Sequence, residues 1–245
     1  MNNIIVTTSW DDGHELDFKL ADLLNKYGLK GTFYVDKEHS RGSLSDQRIR
    51  ALGQNQEIGA HTLSHPHLTT LNKDEASREI FGSKEYLQNI LGKEVKMFCY
   101  PSGEFNEEIK NLVRKVGFLG ARTTGTFCLQ KPVDFLELGT TVHVYPFPFR
   151  KQTQIQALFE PLQRNFGTIL KMGLPIDSFF NWTNLAKNLF NRALKNGGIY
   201  HLFGHSWEIE KYGMWQELEE VFKYIAGRPN VRYLNNSQTL ESLNL

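Results

Sequence analysis

The sequence predicts an α/β fold in which parallel strands alternate with helices. Two observations predict this class: β-branched apolar runs alternate with amphipathic segments along most of the chain, and polar residues follow several of the predicted strands. An open doubly wound sheet and a closed barrel both fit this alternation. The chain contains no glycine-rich phosphate loop of the dinucleotide or P-loop type, which removes one reason to prefer the open sheet.

The individual elements follow in order from these patterns. The run IIVTTSW at 4–10 is β-branched and ends at the turn sequence DDG, so it predicts a strand. Residues 15–28 carry apolar side chains at helical spacing and end at Gly28, which predicts an amphipathic helix. By the same criteria the other strands are 31–35, 57–61, 95–101, 118–124, 199–205 and 231–234. The other helices are a short one at 49–52 and longer ones at 74–92, 106–117, 182–198 and 214–227.

Composition excludes several functional classes. Apolar residues make up 40% of the 245 residues and charged residues 22%, as in soluble globular proteins. The formal net charge of +1 gives no bulk attraction to nucleic acid or to an anionic membrane. No apolar window is long enough for a membrane span, and no signal peptide is visible. We therefore expect a cytoplasmic protein in which Cys99 and Cys128 are reduced thiols; the oligomeric state is left open.

The polar residues at the strand ends predict one site. Asp11 and Asp12 follow the first strand, His61 the third, Arg122 a later one, and His205 the strand at 199–205. In parallel α/β barrels the carboxyl ends of the strands converge on one face, where active sites lie. The scattered clusters therefore become a single site if the sheet closes.

Two of these clusters have simple structural explanations when each is taken alone. An Asp after a strand often caps the next helix, and DDG is a common turn sequence. The pair His61 and His65 can consist of ordinary surface or core histidines, and HTLSH lacks the Glu of the metalloprotease motif. Together, one Asp and two His form a set suited to a divalent cation such as zinc. The second Asp can then act as general base.

With these two clusters, the chain resembles the polysaccharide deacetylases, which are metal-dependent carbohydrate esterases of family four with a distorted (β/α) barrel. SWDDG at 9–13 is similar to their first motif, and HTLSH at 61–65 to their second. FCYPSG at 98–103 corresponds to the third motif, and HLFGH at 201–205 to the last. The resemblance covers about 4–124 and resumes near 197. It implies a distorted barrel of about seven parallel strands and a single catalytic domain over 1–245, with an atypical insertion at about 125–181.

The resemblance also implies roles for the residues of the first two motifs. Asp11 corresponds to the catalytic base, and Asp12, His61 and His65 correspond to the ligands of one divalent metal ion. Zinc is expected by default, with cobalt, nickel or manganese as alternatives. His205 corresponds to the acid that protonates the leaving amine, because it lies nearer the strand end than the second choice, which is His201.

The third motif departs from the family pattern. The Arg that orients the base in many members is Cys99 here, as in a branch of the family with FAYPYG-like sequences. Arg122 is our candidate for the replacement cation, and we expect it to contact Asp11 directly. Backbone N–H groups near the third motif would bind the oxyanion. The residues expected to form the oxyanion site and the substrate pocket are Tyr100, Pro101, Ser102, Gly103 and Trp207, with Glu208 also near the pocket.

The resemblance implies a hydrolase that removes an acetyl group from an N-acetylated sugar or glycan precursor. Such a protein needs a carbohydrate substrate and no nucleic acid partner. Two alternatives stay open: a related amidohydrolase or deformylase acting on another C–N bond, and a metal-binding but catalytically silent glycan-binding member.

Overall fold

The strands form one parallel sheet that curls into a distorted barrel. The structure is a computed structural model and describes residues 4–38, 42–150 and 158–243. Its strands are β1 (Ile4–Trp10), β2 (Gly31–Val35), β3 (Glu57–Ala60), β4 (Met97–Cys99), β5 (Gly120–Arg122), β6 (Val142–His143), β7 (Gly198–Gly204) and β8 (Val231–Tyr233). Seven of them are hydrogen-bonded in the order β5-β4-β3-β2-β1-β7-β6, and β8 pairs with the first half of β1. The predicted distorted barrel of about seven parallel strands is confirmed.

The segment that leads into β6 joins the two ends of this sheet. Leu138 donates its N–H to the carbonyl of Ala121, 2.8 Å away, beside a parallel bridge between Leu138 and Arg122. Three residues later Thr141 donates its N–H to the carbonyl of His201 on β7, also at 2.8 Å. The backbone of the predicted insertion at 125–181 therefore contributes to the closure of the barrel.

Most helices pack on the outside of the sheet. They are α1 (Asp17–Lys26), α2 (Asp46–Leu52), α3 (Lys73–Leu91), α4 (Glu107–Val116), α5 (Glu160–Lys171), α6 (Trp182–Asn196), α7 (Ser206–Tyr212), α8 (Trp215–Ile225) and α9 (Asn236–Glu241). Single 3-10 turns lie at Leu68–Thr70, Pro101–Gly103, Phe135–Glu137 and Ile176–Phe179. The predicted helices agree to within a few residues. Helix α5 lies in the insertion at 125–181, where no helix bounds were predicted, and the short helices α7 and α9 were not predicted.

Alternation along the strands separates an outer apolar layer from a mixed interior. Trp10, Phe33 and Phe98 are fully buried in the large core beneath the helices. Their neighbours Tyr34 and Cys99 point to the other face and belong to a separate interior cluster. This two-residue period is the one expected of strands buried on both faces. The interior is therefore available for polar groups that reach the mouth of the barrel.

Helix α9 packs into the interior of the barrel, and one of its residues, Asn236, is hydrogen-bonded to two strands. The side chain of Asn236 donates to Thr7 Oγ1 at 2.8 Å and accepts from the Tyr34 hydroxyl at 2.9 Å. Its backbone N–H donates to Thr32 Oγ1 at 2.9 Å, and Leu240 joins the interior cluster. Because Asn236 is fully buried, each of these bonds replaces one to water.

None of the described helices is long and apolar enough to cross a membrane.

Candidate active site

A cavity of about 430 Å³ opens at the carboxyl ends of the strands. Its floor contains the aspartates after β1 and histidines from the loops after β3 and β7, and its upper wall comes largely from the predicted insertion. The floor residues are Asp11, Asp12, His61, His65 and His205. Four of the five polar residues that were expected to meet at this face, Asp11, Asp12, His61 and His205, thus line the cavity. The fifth, Arg122, is fully buried and does not line it.

The aspartate pair sits where β1 turns sharply into the loop before α1. Asp11 donates its N–H to the carbonyl of Gly204, 3.1 Å away, so the end of β1 is still tied to β7. Asp12 has a φ of +76° and Gly13 a φ of +60°. A side chain at Gly13 would also place a Cβ 2.8 Å from Val35 Cγ1, so glycine is required there. The left-handed backbone at Asp12 is an uncommon conformation that concentrates at functional sites.

Asp12 faces both predicted histidine ligands. Its Oδ1 atom lies 3.8 Å from His61 Nε2 and 3.7 Å from His65 Nε2. The three potential ligand atoms all lie within 4.8 Å of one another. The ligands of a tetrahedral zinc ion lie about 3.4 Å apart, given bonds of about 2.1 Å. This donor set and its spacing therefore fit a divalent metal ion, with one carboxylate and two imidazoles directed at a common point.

Neighbouring groups hold two of these ligands in the orientation that metal binding requires. His61 Nδ1 lies 2.9 Å from the Cys99 carbonyl, which accepts its proton and leaves Nε2 as the lone-pair nitrogen facing Asp12. Trp207 donates its indole N–H to Asp12 Oδ2 at 2.9 Å, so Oδ1 is directed at the histidines. Outer hydrogen bonds of this kind fix the tautomer and the direction of metal ligands. The expected placement of Trp207 in the cavity wall is observed.

The turn between the two histidines is held by a carboxylate from α3. Glu79 accepts hydrogen bonds from the N–H groups of Leu63 and Ser64, at 2.8 and 3.0 Å, and from the Ser64 hydroxyl at 2.8 Å. His65 has a φ of +56°, and its N–H donates to Thr62 Oγ1 at 3.0 Å. This network stabilises a strained turn that places His65 beside His61.

The expected contact between Arg122 and Asp11 is present. Arg122 is fully buried, and its Nη2 donates to Asp11 Oδ2. Cys99 and Arg122 are register partners on β4 and β5, and Cys99 Sγ lies 3.9 Å from the same carboxylate oxygen. The guanidinium therefore reaches Asp11 from β5, the strand next to the one that leads into the third motif.

This contact keeps Asp11 ionised although it is buried. Burial alone would raise the pKa of Asp11, but the charge of Arg122, followed by those of His61 and His205, lowers the pKa to about 2. The other oxygen, Oδ1, is buried and has no hydrogen-bond partner within the described ranges. Asp11 thus presents a negative oxygen next to the proposed ligands at neutral pH.

His205 lies between the two aspartates and a glutamate. Its Nε2 is 3.9 Å from Asp11 Oδ2 and 3.9 Å from Asp12 Oδ2, and its Nδ1 donates to Glu208 Oε2 at 2.6 Å. Burial disfavours the imidazolium, but the Glu208 hydrogen bond and both aspartates raise the pKa of His205 to about 9. His205 is therefore protonated at neutral pH, as an acid that protonates a leaving amine must be.

His201 occupies a different environment from His205. It is fully buried below the cavity, with Nδ1 3.1 Å from the Gly139 carbonyl and Nε2 2.9 Å from the Ser9 hydroxyl. Burial, followed by the positive charge of Arg122, lowers the pKa of His201 to about 3. A neutral imidazole with both nitrogens engaged in the core is a structural residue, so the geometry favours His205 over this second choice.

The third motif contributes backbone rather than side chains. Tyr100 and Pro101 are buried, and the Tyr100 ring stacks on Phe105 with centroids 4.7 Å apart. Tyr100, Pro101 and Gly103 were expected at the oxyanion site or the substrate pocket, but they do not line the cavity; of FCYPSG, Ser102 is the residue that does. The physical reason is the strand alternation, which turns Tyr100 toward the outer core.

The backbone N–H groups of the third motif differ in whether they are already hydrogen-bonded. The N–H of Tyr100 donates to Arg122 O at 3.2 Å, and that of Gly103 donates to Tyr100 O at 2.9 Å. Proline has no N–H, so Ser102 is the candidate donor of this motif. Its φ of +57° turns the local backbone at the cavity wall.

Sequence reasoning missed three acidic or basic groups around the site. His143 ends β6, stacks on Phe203 with centroids 4.3 Å apart, and places Nε2 3.4 Å from Glu208 Oε2. Asp36 follows β2 and is fully buried; burial and the nearby Asp12 raise its pKa to about 8. The third group is Glu79. His143 carries a usable signal, since it lies between Val142 and Val144 in a short β-branched stretch, whereas nothing in the local pattern marks Glu79.

Comparison with known proteins agrees with the motifs. Residues 2–121 match the family model described as polysaccharide deacetylase. The peptidoglycan-N-acetylglucosamine deacetylase of Bacillus cereus is 32% identical over 108 residues. Over residues 2–121 the chain matches the polysaccharide deacetylase family. The alignment covers 43% of this chain and 39% of the Bacillus cereus protein, so the chain spans about two fifths of that relative.

Solved structures of the family share the fold over nearly the whole chain. A Mycobacterium smegmatis protein assigned to the polysaccharide deacetylases superposes with a TM-score of 0.68, covering 99% of this chain and 91% of that one at 16% identity. A family-four pseudoenzyme from Bacillus anthracis superposes with a TM-score of 0.55, covering 96% and 65% at 14% identity. At these identities the superpositions establish the fold alone.

The family match also separates the site into two parts. Asp11, Asp12, His61 and His65 lie within the matched residues, whereas Arg122 and the His205 group lie beyond them. The roles of the second part therefore depend on the geometry of this chain.

Proposed function

We propose that this protein is a metal-dependent hydrolase that removes an acetyl group from an N-acetylated sugar or glycan precursor. One observation carries the proposal: the donor set of Asp12, His61 and His65 shares a cavity with an ionised Asp11 and a protonated His205. A base and an acid beside a cation site form the arrangement that amide hydrolysis needs.

Asp12, His61 and His65 would hold the metal. A bound divalent ion, with zinc expected first and cobalt, nickel or manganese as alternatives, supplies Lewis acidity toward the acyl carbonyl and lowers the pKa of bound water. The carboxylate of Asp12 also balances part of the ion's charge. Trp207 and the Cys99 carbonyl keep these ligands oriented.

The chain's own residues then divide the proton transfers. Asp11, aimed by Arg122, accepts the proton of the attacking water. The N–H of Ser102 donates to the developing oxyanion at the cavity wall. His205, held by Glu208, donates its Nε2 proton to the leaving amine, so that the products are acetate and a free amino sugar.

The two alternatives predict different products. A related amidohydrolase or deformylase would use the same residues on another C–N bond. A silent glycan-binding member would keep the cleft without turnover. The contact between Arg122 and Asp11 supports the enzymatic alternatives, because a pure binding site has no need for a buried, charge-stabilised base.

The direct test is acetate release from N-acetylglucosamine and its short oligosaccharides by zinc-loaded protein. Asp11→Asn protein with the same zinc content is the matched control. Acetate from the wild type alone supports the proposal. Formate or ureide hydrolysis indicates the related amidohydrolases, and glycan binding without any product supports the silent member. The cytoplasmic glycan precursor expected from the sequence stays a prediction.

A further inference from the structure

The outer wall of the cavity comes from residues that the family match does not cover. Within the described residues, the stretch from β6 to α6 contributes an aromatic and charged set to this wall, beyond residue 121 where the match ends. It includes Tyr145, Phe147, Arg150, Glu160, Arg164 and Asn165. This wall is therefore where a chain-specific substrate preference can arise.

Arg150 is held in place before any ligand binds. Its guanidinium carbon lies 4.4 Å from the centre of the Tyr145 ring, and its backbone N–H donates to the Leu158 carbonyl at 3.0 Å. Its Nη2 lies 3.4 Å from Glu160 Oε2. The Nε atom is buried, yet it has no hydrogen-bond partner among the residues described. A stacked guanidinium with an unsatisfied N–H beside a cavity is already oriented to bind an anion.

Arg164 adds a second positive charge to the same wall. It lies in the first turns of α5, lines the cavity and is exposed, and no ion pair joins it to the described part of the chain. The amino end of α5 also faces the cavity through Pro161, and helix amino ends favour anions. Against two guanidinium groups, this wall carries one carboxylate, that of Glu160.

The two ends of the cavity thus have opposite character. Asp11 and Asp12 lie with the histidines at the inner end, and Arg150 and Arg164 lie on the wall that the insertion supplies. A volume of about 430 Å³ is at the lower end of the range of small-molecule sites and suits one or two sugar rings better than a polymer.

We propose that Arg150 and Arg164 bind an anionic group, a phosphate or a carboxylate, carried by the acylated sugar whose acetamide reaches Asp11. This inference rests on the proposed deacetylase function and names its substrate class: a small anionic N-acetyl sugar. Guanidinium groups pair with both kinds of anion in a two-pronged manner, and their charge selects against a neutral sugar of the same shape.

The test compares three substrates with the zinc-loaded protein. Methyl N-acetylglucosaminide is neutral, N-acetylglucosamine 1-phosphate carries a phosphate, and N-acetylmuramic acid carries a carboxylate. We expect kcat/KM to be about 10–100-fold higher for one of the anionic sugars, as hydrogen bonds to charged groups allow. The better of the two identifies the anion. The preference should fall as ionic strength rises, because the wall is open to solvent.

Charge variants assign that preference to residues. Arg150→Gln and Arg164→Gln should each reduce the ratio of anionic to neutral kcat/KM by about tenfold, and Arg150→Glu should invert it. Arg228→Gln is the matched control, because Arg228 is exposed, bonds to Tyr224 O at 2.9 Å and does not line the cavity. Thermal melting of each variant shows whether it is folded.

Binding gives a second readout that does not depend on turnover. Calorimetric titration of Asp11→Asn protein with N-acetylglucosamine 1-phosphate should give a weaker Kd when Arg150→Gln is added. Acetate release from all three sugars at equal kcat/KM would overturn this inference and leave the proposed function intact. Absence of acetate from every sugar would instead overturn the proposed function, and equal binding with and without Arg150→Gln would overturn the anion site.

Discussion

Replacement of Arg122 tests whether the guanidinium from β5 orients the catalytic base. Lysine keeps the positive charge but loses the planar fork that meets a carboxylate. A charge-assisted hydrogen bond contributes about 1.5–3 kcal/mol, so Arg122→Lys should lower kcat/KM by about 10–100-fold. The metal content should stay nearly unchanged, because Arg122 contacts the base and none of the three proposed ligands.

The effect on stability follows from the pKa of Asp11. Its pKa falls from 3.8 to about 2 in the folded protein, a shift worth about 2 kcal/mol. This stabilisation is fully present above pH 3.8 and is lost as the pH falls toward 2. In Arg122→Gln the buried carboxylate has lost its cation, so the free energy of unfolding at pH 7 should drop by about 3–5 kcal/mol. The deficit should begin to shrink as the pH falls through the raised pKa of Asp11 in the variant. It should shrink further between pH 3.8 and about 2, where the wild type loses its own stabilisation.

The assay combines acetate release across pH with urea unfolding of metal-free protein. With less stabilisation of its charged form, Asp11 should have a higher pKa in Arg122→Gln, and the acidic limb of kcat/KM should move to higher pH. Arg114→Lys on the exposed surface is the control. The register pairing also permits a rescue: Cys99→Arg combined with Arg122→Cys should recover activity, since the guanidinium then starts from the neighbouring strand. Full activity and an unchanged pH profile in Arg122→Lys would refute the orienting role.

Three further predictions concern the metal ligands, their support and the barrel interior. Asp11→Asn should keep its zinc and lose about 10²–10⁴-fold in rate, whereas His61→Ala should lose both; metal analysis beside the activity assay decides, and a metal-free Asp11→Asn would reverse the roles. Glu79→Gln should weaken zinc affinity about 10–100-fold because the turn before His65 loses its anionic acceptor, and an unchanged Kd would show that the turn holds itself. Asn236→Ala should lower the free energy of unfolding by about 1–3 kcal/mol with little change in zinc Kd; an unaltered urea midpoint would contradict its bridging role.

The sequence predicted the parts of this protein whose signals are local. The β-branched residues at 4–10, followed by the turn sequence DDG, predicted the first strand correctly. The same turn sequence correctly placed the two aspartates at the end of that strand. The position of Arg122 followed from a gap in the third motif together with the strand order. Each of these inferences needed only a short segment and the rule that parallel strand ends converge.

The parts that were missed depend on contacts between distant segments. The sequence of helix α9 resembles an ordinary polar terminus. Its role in joining the strands depends on the hydrogen bonds of Asn236 to Thr7 and Tyr34, which lie more than 200 residues away in the chain. The backbone near Leu138 closes the barrel through hydrogen bonds to residues of β5 and β7, and this segment has no strand pattern in the sequence. The place of His143 beside the site likewise depends on its contact with Glu208, which is distant in sequence.

The location of bound zinc tests the central claim most directly. Crystals grown with zinc and acetate, measured at the zinc absorption edge, give the position of the ion without reference to activity. We predict an anomalous peak about 2.0–2.2 Å from Asp12, His61 Nε2 and His65 Nε2, with acetate next to Asp11. A peak at the His143, His205 and Glu208 cluster instead, or no peak at Asp12 at saturating zinc, would contradict the account.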